Sequence, residues 1–151
     1  MTTGQIELSS IDERDFVDEV AATPEPVLAE TMRGDLRDDI LHEIFDRMRE
    51  HFEPERAEGV DGVVDWRICG RADGDCDLYH MVIRDGHVDI REWDEEEPKV
   101  TLTVDPVSFL KLVSGNARGS SLMLRGKLKP KGDLAFARRL ESLFRLPSGA
   151  G

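Results

Sequence analysis

The sequence predicts an α+β domain, and three observations carry that prediction. Asp85-Gly86 stands between two alternating stretches, Cys76 to Arg84 and His87 to Trp93, the pattern of a hairpin closed by a two-residue turn. Asp35 to Phe52 repeats Ile40, Leu41, Ile44, Phe45, Met48 and Phe52 along one broad face, as an amphipathic helix does. Leu134 to Phe144 repeats Phe136, Leu140, Leu143 and Phe144 at i, i+4, i+7 and i+8, again one helical face. The full order reads helix, three strands in a meander, a fourth strand, helix, short helix, fifth strand, helix.

Each element has a local reason. Ser10 to Glu13 reads as a capping box, with the serine accepting from the backbone and the glutamate reaching back. Phe16, Val17, Val20 and Ala21 then form the stripe of a short helix that Thr23-Pro24-Glu25-Pro26 ends, because the residue before a proline is pushed out of the α region. A second helical piece spans Val27 to Met32. In the long helix that follows, Arg37, Asp38, Glu43, Arg47 and Glu50 fall on the polar side. Val60 to Gly70 alternates, with Val64, Trp66 and Ile68 on one face and Asp65, Arg67 and Cys69 on the other. If Arg84 lies opposite His87, the hairpin register pairs Ile83 with Val88, Met81 with Ile90 and Tyr79 with Glu92. That register puts His80 opposite Arg91 on the far face, which reads as a solvent-side pair.

Asp94 to Glu97 is a solvated acidic loop, and Lys99 to Val104 is a strand with Val100, Leu102 and Val104 inward. Asp105-Pro106 opens a helix as N-cap and N1. Phe109, Leu110 and Val113 supply its buried side, and Gly115 its C′ residue. Asn116 to Arg125 is a short helix or turn. Pro130 sits inside the last strand and lacks a ladder donor, which confines it to an edge or a bulge. Asp133 caps the last helix.

Composition excludes several functions. The chain has 151 residues, enough for one domain, and 32 acidic against 20 basic side chains give a net charge of −12. A nucleic-acid binder is expected to be basic, and an anionic lipid surface attracts cations. Nucleic acid is therefore excluded as a partner, and neither passive adsorption to such a surface nor stable membrane insertion is expected. Met1 to Ser10 has neither the basic nor the apolar region of a signal peptide, and no apolar run approaches a spanning helix, so a cytoplasmic protein is expected. Cys69 and Cys76 make no C-x-x-C and no disulfide framework, and in a reducing compartment free thiols are expected. His42, His51, His80 and His87 show no metal-ligand spacing. No metal and no cofactor is expected.

Gly126-Lys127-Leu128-Lys129-Pro130-Lys131-Gly132-Asp133 and the amphipathic helix after it nearly reproduce the signature of one family. With the Asp85-Gly86 hairpin and the passage Val100-Thr101-Leu102-Thr103, Asp105, Phe109, Leu112, Gly115, the chain resembles the sterol-carrier-protein-type-two family from about Leu36 to Leu146. The resemblance implies a five-stranded, mainly antiparallel sheet covered on one face by helices, with an apolar tunnel between the layers. It implies binding of sterols, fatty acids, acyl-CoAs or other lipids without covalent chemistry. Residues 1–33 would be a helical extension that docks on its own domain or on a second subunit, leaving a homodimer open. Residues 34–147 would be the lipid-binding domain and 148–151 a tail. Pro130, Ser120-Ser121 and the tryptophan-free tip Gly74-Asp75-Cys76 depart from the family pattern.

The expected ligand-binding set comes from the sheet's inner face, with Trp66, Ile68 and Met81, and from the helices. The helical members are Phe109, Leu110, Val113, Leu122, Met123, Phe136, Leu140 and Phe144. The last helix is expected to be the movable wall, because Pro147-Ser148-Gly149 ties down little beyond it. Two other functions fit parts of the sequence. One is an accessory domain without a lipid ligand. The other is an enzyme with Tyr79, Arg67 or Ser121 as polar groups, which lacks a nucleophile–base–orienter set.

Overall fold

Proline and glycine mark where the elements end. The computed structural model describes residues 13–91 and 96–143. Helix α1 (Glu13–Ala22) stops before Pro24, and α2 (Glu25–Thr31) starts on it. Helix α3 (Arg37–Glu50) leads into a 3-10 turn at Pro54–Ala57. Strands β1 (Gly62–Ile68), β2 (Asp77–Arg84), β3 (His87–Arg91) and β4 (Val100–Val104) follow. Helices α4 (Pro106–Val113) and α5 (Gly119–Leu124), strand β5 (Leu128–Gly132) and helix α6 (Leu134–Leu143) complete the chain. Ser10 of the expected capping box, Glu92 and Trp93, the acids at 94 and 95, Phe144 and Pro147-Ser148-Gly149 lie outside the described residues, as does the side chain of Phe16.

The five strands form one sheet in the order β3-β2-β1-β4-β5. Only β1 and β4 run parallel, and the other three pairings are antiparallel. The hairpin turn has φ of +53° at Asp85 and +74° at Gly86, the two positive values a type I′ turn needs. It sets the register Arg84 to His87, Ile83 to Val88 and Met81 to Ile90. Met81 and Ile83 are fully buried, and Val88 and Ile90 half-buried. Pro130 lies on edge strand β5 opposite Leu102, where its missing N–H breaks no interior ladder.

Two caps match the chemistry of their residues. Asp105 Oδ1 accepts from the Ser108 amide at 2.8 Å, and Asp133 Oδ1 from the Phe136 amide at 3.0 Å. Gly132 precedes the second cap with φ of +120°, and a Cβ there would collide with the Lys99 carbonyl oxygen. That carbonyl accepts the Asp133 N–H at 2.8 Å, so glycine at 132 lets β5 turn directly into α6.

All the helices lie on one face of the sheet. Phe45 of α3 stacks on Tyr79 of β2 with ring centroids 4.3 Å apart. Phe109 of α4 packs at 5.6 Å from both Phe45 and Trp66. Helices α5 and α6 cover the β4–β5 end. Helices α1 and α2 pack on α4 in the same chain. Asn116 Nδ2 donates to the Val17 carbonyl at 3.0 Å, and Lys111 pairs with Glu25 at 3.2 Å.

Four residues differ from the sequence expectation. His80 is buried, 6% exposed, and its Nδ1 lies 2.6 Å from Asp65 Oδ1. Val63 and Val82 are buried around the pair, so the centre of the outer face is closed to solvent, although Arg91 opposite His80 is exposed. Arg37, expected on a polar helix face, is 5% exposed. Its guanidinium donates to Asp77 Oδ2 at 2.7 Å, to the Met32 carbonyl at 2.9 Å and to the Ile68 carbonyl at 2.6 Å, and that set of acceptors makes its burial tolerable. Cys69 and Cys76, expected as free thiols, form a disulfide that closes the Arg71 to Asp75 loop. Both sit where β1 ends and β2 begins, which brings their sulfurs together across the ladder.

Candidate lipid-binding site

An apolar cavity of about 510 Å³ lies between the β1–β4–β5 part of the sheet and the last three helices. Trp66, Leu102 and Leu128 form its floor, one from each of three adjacent strands. They share a face because strand alternation is in register across β1, β4 and β5: Trp66 pairs with Leu102, and Leu128 with Val104. Leu112 of α4 closes one side. Met123 and Leu124 of α5, with Gly119 and Ser120, form the second wall, and Ala137, Arg138 and Leu140 of α6 the third. Leu124 is 90% exposed and marks the mouth, while Arg138 and Ser120 are exposed at the rim.

The volume falls within the ~300–1,000 Å³ of small-molecule sites. The walls are apolar except at the rim. The indole N–H of buried Trp66, one of the floor residues, has no hydrogen-bond partner among the described residues. A second depression, between the end of α3 and the β2–β3 turn, is lined by Asp46, Arg49, Glu50 and His87 and offers no comparable apolar surface.

The cavity gathers three of the expected ligand residues, Trp66, Met123 and Leu140. Ile68, Met81, Phe109, Leu110, Val113, Leu122 and Phe136 are instead buried in the core around it, and Phe144 lies outside the described residues. Leu102, Leu112, Leu124, Leu128 and Ala137 also line the cavity, outside the expected ligand-binding set. The strand parity that placed Leu102 inward, extended to Leu128, was the available signal for those two.

Helix α6 is held at both ends: its first turn by the Asp133–Lys99 contact, and its last carbonyl, Leu143, by the Glu53 N–H at 2.7 Å. The polar groups considered for catalysis do not converge. Tyr79 is stacked in the core, Arg67 reaches the Cys76 sulfur at 3.7 Å, and Ser121 is exposed. No cluster of three or more potential metal ligands occurs among the described residues. No helix among them is long and apolar enough to cross a membrane.

Fold and site together define an α+β binding domain with an apolar cavity between a five-stranded sheet and its helices. The profile described as "SCP-2 sterol transfer family" matches residues 41–145. The chain belongs to this family, whose members are associated with lipid binding or transfer. Among solved structures, sterol carrier protein 2 from Yarrowia lipolytica is similar at 20% identity and a TM-score of 0.56, over 67% of this chain and 86% of that one. The palmitated SCP2L2 from Aedes aegypti is similar at 22% identity and a TM-score of 0.54, over 70% and 94%. The sec-alkylsulfatase Pisa1 from Pseudomonas sp. is similar at 18% identity and a TM-score of 0.58, over 70% of this chain but 16% of the enzyme. These likenesses are of fold. A comparison with curated protein sequences found no match.

Proposed function

We propose that the protein binds a lipid-like molecule without chemistry and carries it in the cavity under α5 and α6. The cavity's apolar walls, built from elements inside the family match, carry the reading. Trp66, Met123 and Leu140 contact the ligand together with Leu102, Leu112 and Leu128. The more deeply buried members of the expected set, Phe109 and Phe136 among them, act as packing behind those walls. Fatty acyl compounds are the first ligands to test, since a structural relative is described as palmitated. The unpartnered Trp66 N–H favours a ligand that brings an oxygen acceptor inside. The proposal includes a cytoplasmic setting, in which the Cys69–Cys76 disulfide would be open to reduction.

The test is native mass spectrometry of the purified chain with lipid extraction, followed by displacement of a fluorescent fatty acid. Affinity is expected to rise by up to about fourfold per methylene until the cavity is filled, the equivalent of ~0.8 kcal/mol per buried CH₂. Leu140→Asp is expected to abolish binding while circular dichroism stays native. The absence of saturable binding to folded protein would defeat the carrier reading. The likeness to one part of a larger alkylsulfatase supports a second reading, an accessory domain, which would then take its place.

A further inference from the structure

The rim of the cavity holds positive charge that the rest of the molecule does not use. The chain as a whole carries −12, yet residues 116–139 contain seven cations and one carboxylate, Asp133. That segment is +6, which leaves −18 for the remainder. Asp133 is occupied in capping α6. Elsewhere most basic side chains are engaged: Arg37, Arg47, Arg49, Arg56, Arg71, Arg84, Arg91 and Lys111 each lie within 4.0 Å of a carboxylate. Arg118, Arg125, Lys127 and Arg138 on the rim, and Lys129 and Lys131 on the other face of β5, are exposed, and none has a carboxylate partner among the described residues. In a chain with so large an excess of acid, cations left unpaired on one side of an opening require an account.

Apolar groups stand among these cations. Leu124 is 90% exposed at the mouth and Leu134 56% exposed at the start of α6. Arg118 and Arg125 bracket α5, Arg138 is on the α6 wall, and Lys127 opens the turn into β5. Lys129 and Lys131 project from the outer face of edge strand β5 and add to the same field. Cations around an exposed leucine, at the opening of an apolar cavity, match an anionic bilayer surface: head groups for the charges, acyl boundary for the leucine. At physiological salt the Debye length is about 8 Å. Carboxylates on the far side of the molecule are then screened, and the local sign prevails over the net charge.

We propose that the α5–β5–α6 rim is a reversible docking surface for an anionic lipid bilayer, on which the cavity opens toward the membrane. The idea deepens the carrier reading and rests on it only for the purpose of docking, not for its occurrence. The test is flotation of lipid-stripped full-length protein with vesicles of phosphatidylcholine alone or mixed with phosphatidylglycerol. Binding is expected to the mixed vesicles and not to the neutral ones. Arg125→Gln/Lys127→Gln should weaken it about fivefold per cation lost, and Leu124→Ser should weaken it further. Arg49→Gln/Arg56→Gln changes the net charge equally on another surface and should leave it intact. Equal binding to both vesicle types, or equal losses from the two charge pairs, would overturn the proposal. If double-stranded DNA competes fully and Leu124→Ser changes nothing, the rim is a general polyanion surface and the bilayer assignment falls. Fatty-acid binding measured separately keeps the two ideas apart: its loss with docking retained defeats the carrier reading alone.

Discussion

His80 and Asp65 share a hydrogen bond where neither has ready access to water, at the centre of the outer sheet face. Removing one partner from such a pair leaves a buried polar group unsatisfied. His80→Leu is expected to destabilise the fold by about 3 kcal/mol in urea denaturation. Asp65→Leu/His80→Leu should recover most of that loss, because no carboxylate is then stranded. Strictly additive effects of the two substitutions would show that the pair contributes no coupling. The parity that put His80 opposite Arg91 and away from Met81 was readable, since alternation assigns a side chain to a face. Whether that face meets water was not readable, because burial depends on what the chain packs there from elsewhere. Arg37 illustrates the same limit: its acceptors are at Met32, Ile68 and Asp77, three places that only the folded chain brings together.

At the level of elements, the punctuation was the most legible part. Asp105-Pro106, Gly132-Asp133 and Asp85-Gly86 act through their own backbone chemistry, and each appears where that chemistry requires. The cavity was half legible. Helical and strand periods identify inward residues, but they do not separate those that fill a core from those that face a space left within it. Thus Phe109 and Phe136 are packed while Met123 and Leu140 face the cavity. The β1–β2 loop is held covalently by Cys69–Cys76, and ionically by Arg71 with Asp73 and Asp77. Hydrogen bonding, first from the Asp75 amide and then from Arg71, holds the exposed Asp73 carboxyl below its usual range. Its contribution to loop order is present above the ordinary Asp range and lost as pH falls through the lowered value. Cys69→Ser/Cys76→Ser is expected to cost about 2.5 kcal/mol by the loop-closure argument. Thermal melts with and without reductant check it: reductant should lower the melting temperature of the parent and not of the variant.

Across the whole molecule, the separation of charge predicts an unusual dependence on salt. At about 0.01 M ionic strength the Debye length reaches about 30 Å, so the acidic body of the protein also interacts with an anionic surface and opposes docking. Near 0.1 M only the rim is felt, and at 1 M even the rim is screened. Vesicle binding is therefore expected to pass through a maximum at intermediate salt. A steady decline from the lowest ionic strength would instead mean that the body's charge has no influence.

Pro130 has a consequence for self-association. Among the described residues strand β5 is an open sheet edge, and an open edge is a template for another copy's edge. Midway along it, one backbone donor is missing at Pro130, and Lys127, Lys129 and Lys131 would face like charges on an approaching twin. The cavity end of the sheet is thus guarded against polymerisation at high protein concentration, and a homodimer, if one forms, is not built by joining two β5 edges. Pro130→Val restores the donor with a side chain that favours strands. Light scattering is expected to show that variant assembling as salt is raised and the lysines are screened, while the parent chain keeps its particle size. Equal behaviour of the two would mean that the lysines alone keep the edge open.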